Sequence, residues 1–447
     1  MRPIALLTLV ATLFPGLAGA APLTADEAVK LALQKNSSIL QAEASVLSAR
    51  GGLWSAYSRV LPSVGINAAR DGSLTRNASG SAIFGGFPPS SFSIFDDEAY
   101  RGSYGLSGRW PVLNPSAIVG LSSARAAMRG ASYGRAATRA DVRLETKRRF
   151  YEVVKAMHLA GVSNRALRLS RDDERRVRAL FEVGSVSKSD LLKAQVRTAQ
   201  SQLDSLLSDH AVINLRVSLA QQLGVSEKEL AEVDSTLTAA HEQMDAGVVL
   251  EEARRHRPDL VAAESDLRAA ELGLRSAHWS RLPSLSLSGG YTPDSKSSDK
   301  RFDDAAHTSG RSSASETKKE WSGEVAVNMN VFDGFLTDAA VASARSRLVS
   351  ARETRDALVR NLEGEVRQTL LGYQEAVERE ALGRRTVESA SENLNLVQQK
   401  YNVGSATILD LIDSQVQLQR AQSDLVSALA DIRVAEAAVD RVRGKGE

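Results

Sequence analysis

The chain is written twice, and this duplication limits the folds open to it more than any other feature. Residues 37–63 lie over 258–284 at an offset of 221 with ten identities, among them Gly52/Gly273 and Leu61-Pro-Ser63 over Leu282-Pro-Ser284. Residues 181–204 lie over 401–424 at an offset of 220 with nine identities. So long a period excludes a solenoid of small repeats and implies two pseudo-symmetric halves of one architecture. The expected layout is a first repeat over 21–224, a connector over 225–248 and a second repeat over 249–447.

Residues 1–20 have a basic start at Arg2, an apolar stretch from Ile4 to Phe14, and Ala18 and Ala20 before Ala21, the pattern of a secretory signal peptide. No later run of about 18 apolar residues occurs, so a membrane contact would have to be made by something other than a hydrophobic helix. The absence of cysteine excludes disulfides, thiolate metal sites and a lipid-modified N-terminal cysteine. With 56 basic and 54 acidic side chains the net charge is +2, which argues against nucleic acid as a partner.

Each repeat opens with a predicted helix, Ala25 to Arg59 and Val249 to Ser280, ended by Leu-Pro-Ser. The hydrophobic period then falls to two, as in Val64, Ile66 and Ala68 and in Leu285, Leu287, Gly289 and Tyr291, which predicts strands. Partner strands are expected around Tyr100 to Val112 and Trp321 to Val331, about ten residues long, with aromatic residues toward their ends. Asp71 to Ala99 and Thr292 to Lys319, rich in Gly, Ser, Asp and Pro, read as long loops. Two very long helices follow, Ser116 to about Phe181 and Thr337 to about Tyr401, each roughly 100 Å at 1.5 Å per residue. Both end at Val-Gly-Ser and are followed by a returning helix with a heptad seam. The first seam is Leu192, Val196, Ala199, Leu203, Leu206, His210, Ile213, Val217 and Ala220. The second runs from Leu411 and Ser414 through Leu418, Ala421, Leu425, Ala428, Ile432, Ala435 and Val439 to Val442.

Four strands cannot close a barrel, and an open sheet in lipid leaves unpaired backbone groups, so membrane-spanning strands require association. Two copies would give eight strands and three would give twelve; the pattern does not choose between them. A soluble sheet packed on a helix, in a periplasmic coiled-coil scaffold or adaptor protein, is the competing reading. It leaves the aromatic-ended amphipathic strands without a purpose.

The duplicated layout, the Leu-Pro-Ser strand starts, the Asn330-Val-Phe-Asp-Gly-Phe335 exit from the last strand and the paired Val-Gly-Ser turns resemble those of TolC-family outer-membrane efflux proteins across essentially the whole mature chain. The resemblance implies a mainly α fold with membrane β, in which long antiparallel helical hairpins form an α-barrel joined to a β-barrel completed by trimerisation. It implies an outer-membrane exit duct for small molecules or polypeptides, in contact with outer-membrane lipid and working with a periplasmic adaptor and an inner-membrane pump. It implies no catalysis and no cofactor.

By the same resemblance the entrance falls at the turns Val183, Gly184, Ser185 and Val403, Gly404, Ser405. Asp410 and Asp413 match the carboxylates of the periplasmic constriction, and Tyr401, Ser189 and Asp190 match residues that tie neighbouring helices when the duct is closed. Asp410 and Asp413 are three apart on one helix, so threefold symmetry would gather six carboxylates, favouring cations and raising some of their pKa values. Asp410 also has a local reading, because Asp190 holds the equivalent place and a carboxylate near a helix start is stabilising by itself. Asp413 does not, because its equivalent is Lys193. The arginine that often crosses from the second turn is replaced by Ala406, with Lys188 as a substitute in the opposite turn. Val186, Ala406 and Ile408 are expected as the exposed apolar and small residues that meet an adaptor.

Enzyme signatures are weak. The six histidines show no metal-ligand spacing, and there is no Gly-rich phosphate loop or G-x-S-x-G elbow. Ser185-Val-Ser-Lys188 satisfies S-x-x-K without its companion motifs and is a chance match.

Overall fold

The computed structural model describes residues 22–82, 90–238, 244–303 and 309–444. The signal peptide expected over residues 1–20 lies outside them. The elements are α1 (Ala25–Lys35), α2 (Ser37–Ser58), β1 (Ser63–Ala82), β2 (Ser90–Leu113), α3 (Pro115–Glu182) and α4 (Lys188–Leu223), then α5 (Ala246–His256), α6 (Pro258–Trp279), β3 (Ser284–Asp303), β4 (Ser309–Asn328), α7 (Leu336–Asn402) and α8 (Ile408–Arg443). The second six repeat the first six in order. The fold is mainly helical, with one small antiparallel sheet.

Contacts divide the chain into two compact units, and each unit takes segments from both repeats. One comprises Met1–Val46, Ala131–Ala262 and Arg355–Glu447, the other Leu47–Gly130 and Ala263–Thr354.

The first unit holds two equivalent cores. In one, Ala28 and Ala32 of α1 pack on Val153 and Val154 of α3 and on Leu219 and Leu223 of α4. In the other, Val249 and Ala253 of α5 pack on Val366 and Tyr373 of α7 and on Ile432 and Val439 of α8. Each fully buried Leu, Ile or Val contributes about 1.5–3 kcal/mol. The opening helices, expected to be continuous, are broken in both copies at places 221 residues apart, Asn36 and Arg257. At the first break Asn36 accepts the Ser38 N–H at 2.8 Å and donates its side-chain amide to the Gln222 carbonyl at 2.7 Å. At the second, Pro258 bars the α conformation from Arg257, which sits at φ −67°, ψ 118°. The buried Arg257 guanidinium pairs with Asp259 at 2.5 Å and Glu365 at 2.6 Å.

The returning helices finish on these breaks. Gly224 (φ 71°) and Gly444 (φ 74°) cap α4 and α8 in the left-handed region. A Cβ on them would lie 2.5 Å from the Lys35 carbonyl oxygen and 2.7 Å from that of His256, so glycine is required twice over. The connector is built into this unit as well. After a 3-10 turn at Glu227–Glu229, Leu230 and Val233 are buried, and Val233 forms a parallel bridge with Leu23.

The second unit contains the sheet, in the order β1-β2-β3-β4. Its strands are 20, 24, 20 and 20 residues long, so most of the two segments expected to be loops is strand. The Gly-, Ser- and Asp-rich sequence misled because a ladder is made by the backbone and, away from a core, places little demand on side chains. Pro293 suggested a break, yet it pairs with Lys319 of β4 while the β2–β3 register passes from Ser103↔Asp294 to Leu106↔Tyr291. Nearer the helices, Ile66, Leu106, Tyr291 and Trp321 stand in register across all four strands, with Tyr291 and Trp321 ring centroids 4.4 Å apart. Helix ends in this unit are tied in the order α2-α3-α6-α7: Arg125 donates to the Tyr57 hydroxyl, Ser123 to the Ala269 carbonyl, Ser276 to the Ser116 carbonyl, and Arg281 pairs with Asp338.

The two heptad seams differ in burial. On α8, Leu411, Ser414, Ala421, Ala428, Ile432, Val439 and Val442 are buried within the chain. On α4 the buried positions are Ala194, Thr198, Ser201 and Ser205, then Leu219, Ala220 and Leu223 where the helix joins the core; of the expected seam Ala220 is buried and Val217 half-buried, while the stretch from Leu192 to Ile213 is exposed, with Val196 66% and Leu203 54% accessible. His210 is exposed with it. From Leu192 to Ile213 the seam is present in the sequence, but nothing among the described residues covers it.

Candidate functional site

The two Val-Gly-Ser turns are local structures that satisfy their own backbone groups. Gly184 (φ 76°) and Gly404 (φ 74°) end α3 and α7 in the left-handed region. In each, two amides reach back to the open carbonyls of the last turn: Gly184 to Phe181 and Ser185 to Leu180, Gly404 to Tyr401 and Ser405 to Lys400, at 2.8–3.0 Å. The next helix is capped two residues later. Ser187 accepts the Asp190 N–H at 3.2 Å and donates its hydroxyl to the Asp190 carboxylate at 2.7 Å. Thr407 accepts the Asp410 N–H at 3.2 Å, while its own N–H and hydroxyl donate to the Asp410 carboxylate at 2.8 and 2.7 Å, a complete capping box.

The expected acidic pair is therefore placed in two different settings. Asp410 is engaged by its cap, and hydrogen bonds from Thr407 hold its carboxyl below the usual range. Asp413 is exposed one turn further along α8, where the Gln417 amide donates to it at 2.8 Å. In the first copy Asp190 is likewise held low by Ser187 and by Lys193, whose ammonium lies 3.2 Å away. Ser189 and Lys188 are exposed in the first turn of α4.

The turns are joined underneath by a small apolar core of Val177, Ala194, Ile408 and Leu411, with Val186, Leu191, Leu394, Val397, Tyr401 and Ile412 packed against it. This corrects one expectation. Ile408 is only 5% exposed and Val186 is half-buried, because the first residues of a capped helix point back under the turn and into the gap between hairpins. The apolar side chains that do face outward are Val183, Val403 and Leu409, at 74%, 79% and 60%. Leu409 was not singled out from the sequence; it stands where the first copy has the exposed Ser189. Half-burial pushes the Tyr401 phenol up, and the nearby Asp173 and Asp190 carboxylates add to it.

Above this core, polar side chains cross between the hairpins. Gln415 donates to Asp173 at 2.6 Å and Arg197 to Gln419 at 2.9 Å. Burial raises the Asp173 carboxyl against the stabilising effect of Gln415. No sequence signal marked these ties, since each joins positions more than 200 residues apart.

No helix among the described residues is long and apolar enough to cross a membrane, and no group of three metal-binding side chains occurs there. The family described as Outer membrane efflux protein matches residues 28–225 and again 249–445. Outer membrane protein TolC of Vibrio cholerae is 25% identical over 331 residues, 74% of this chain and 73% of that protein. Among solved structures, the CmeC outer membrane channel of Campylobacter jejuni has a TM-score of 0.78 at 15% identity, covering 94% of this chain and 86% of that one. The outer membrane protein VceC from Vibrio cholerae gives 0.74 at 17% identity, covering 94% and 96%. The chain belongs to the outer membrane efflux protein family, and with it to the non-catalytic exit ducts that sit in the outer membrane and extend into the periplasm.

Proposed function

We propose that three copies of the chain complete the duct, with twelve strands closing a β-barrel, and that Asp413 and Asp410 ring its periplasmic constriction. The observation that carries this reading is the pair of unsatisfied surfaces on one chain. β1 and β4 each have a neighbour on one side only, and a sheet edge left open in lipid is untenable. The exposed seam on α4 has the spacing of a helix–helix contact, and α7 carries exposed Leu371, Leu382 and Leu396 to receive it from a neighbour. Two repeats in each of three chains then place six hairpin tips around one axis.

At that axis the exposed Asp413 carboxylates set the charge of the opening, and the capped Asp410 supports the turn that presents them. Val183, Val403 and Leu409 form an apolar and accessible rim suited to the hairpin of a periplasmic adaptor, which links the duct to an inner-membrane pump. Tyr401, Asp190 and Ser189 lie beside the same turns and form the closed-state contacts. The domain reading is retained: two efflux repeats, 21–224 and 249–447, joined by 225–248.

The test is single-channel conductance of the detergent-purified protein in a planar bilayer, comparing wild type with Asp410→Ala, Asp413→Ala and the double variant under a salt gradient. Asp413→Ala is expected to reduce cation selectivity and Asp410→Ala to enlarge or destabilise the opening with less effect on selectivity. Insertion with wild-type conductance in the double variant would discard the constriction and leave the duct.

A further inference from the structure

Beside the junction of α8 with the break between α5 and α6 lies a cavity of about 1010 Å3 that the duct function does not use. Its walls carry Arg135, Arg139 and Arg143 of α3, Arg255 of α5 and Arg443 at the end of α8, against a single carboxylate, Glu252. Of the five guanidiniums, Arg443 faces Glu252 and Arg255 also pairs with Glu251 at 3.7 Å, which leaves a formal excess of three positive charges. Glu252 is itself taken up by Arg443, whose Nε lies 3.3 Å from it. Some other arginines of α3 stand beside acids, as Arg149 does with Glu145, Arg175 with Asp172 and Arg178 with Glu174. Arg135, Arg139 and Arg143 form no ion pair among the described residues, and the Arg135 Nε is a buried donor with no acceptor there.

The duplicated scaffold does not require this charge. At the helix positions equivalent to Arg255 and Arg443 the first repeat has Gln34 and Leu223. Counted from the starts of α3 and α7, Arg135 and Arg143 correspond to Asp356 and Gly364, and only Arg139 has a basic counterpart, Arg360. Gathering unpaired guanidiniums costs electrostatic free energy that the other copy avoids, and a bound anion would offset it. Ala136, Ala140, Pro258 and Val261 give the same cavity an apolar wall. The exposed apolar residues assigned above to a neighbouring chain lie on α4 and α7, which do not line it.

We propose that this cavity is a binding site for an organic polyanion, a molecule with two or more phosphate or carboxylate groups and an apolar body. Arginines recognise both anions through paired N–H donors, and the volume suits a ligand of drug size. Such a site would make the periplasmic part of the channel responsive to an acidic metabolite or to an acidic molecule in transit.

The experiment uses the full-length protein in detergent and the trianionic dye 8-hydroxypyrene-1,3,6-trisulfonate, with binding read by fluorescence anisotropy at low and high salt. Saturable binding of one dye per chain is expected, weakened by salt and competed by inorganic pyrophosphate, by citrate, or by both; the competition pattern identifies the preferred anion. Arg139→Gln/Arg143→Gln should weaken binding about tenfold or more, with Arg175→Gln as the unaffected control on the same helix. Should the double variant fail to assemble, the exposed Arg255→Gln is the second test and should weaken binding about threefold or more. Absence of saturable binding, or equal affinity in wild type and in the cavity variants, would overturn the proposal. Because dye binding is read without channel opening, this result is independent of the conductance test of the constriction.

Discussion

Glycines with the same left-handed backbone do different jobs in this chain. A Cβ at Gly184 or Gly404 would meet open space, so alanine there costs only the conformational penalty of about 1–2 kcal/mol. At Gly224 and Gly444 the same substitution also drives a methyl into a carbonyl of the opening helix. Thermal melts should therefore rank Gly444→Ala well below Gly184→Ala; equal melting temperatures would show that the seat of α8 on the α5–α6 break is slack. The neighbouring Asp259 gives a pH dependence. Burial alone would raise its carboxyl, but the Arg257 guanidinium overrides burial and holds it below the ordinary 3.8. A carboxylate lowered on folding contributes stability above its unfolded value and loses it as pH falls through the folded one. The stability gap between wild type and Asp259→Asn should be full at neutral pH and begin to narrow below about pH 4, and a gap that stays the same size throughout the acid limb would remove Asp259 from the account. Of these residues the turn glycines were legible from their Val-Gly-Ser setting. Arg257 was not, because its partner Glu365 is a hundred residues away in the chain.

At the scale of elements, what the sequence made plain was whatever periodicity reports. The two long helices were read to within a residue or two of their observed ends, and the returning helices start just after the Val-Gly-Ser turns as expected. The break at Arg257 was missed although Pro258 marks it, because the helical pattern runs on across the proline. The break at Asn36 has no proline, and its cause is a tertiary contact with Gln222 that a helical pattern does not record. The strands were underestimated for the opposite reason: their outer halves have no amphipathic alternation to detect, yet continue to pair. The α4 seam shows a third case, in which the heptad pattern from Leu192 to Ile213 is left exposed among the described residues. Replacing Val196 and Leu203 together by Ser should leave the helix content of the chain intact while shifting the proposed trimer to smaller species in light scattering of detergent-purified protein. A trimer of undiminished stability would mean that this face is not the contact.

At the scale of the molecule, the repeat and the compact unit are different divisions. Each unit is assembled from pieces of both copies, and β2 of the first copy is paired with β3 of the second along most of its length. A protease site placed in the connector should therefore yield two fragments that remain together on size exclusion until the protein is denatured, whereas free separation would show that each copy folds alone. The sequence revealed the duplication and could not reveal this interleaving, since identity between copies says nothing about which copy packs on which. The duplication has a consequence of its own at the tip, where Asp413 in one copy faces the history of Lys193 in the other. A ring built from six identical single repeats must carry the same residue at all six places, so any change in charge is made sixfold. Two repeats in one reading frame can drift apart, and heredity can then write an acid at every second place and a base between, tuning an opening that symmetry would otherwise hold uniform.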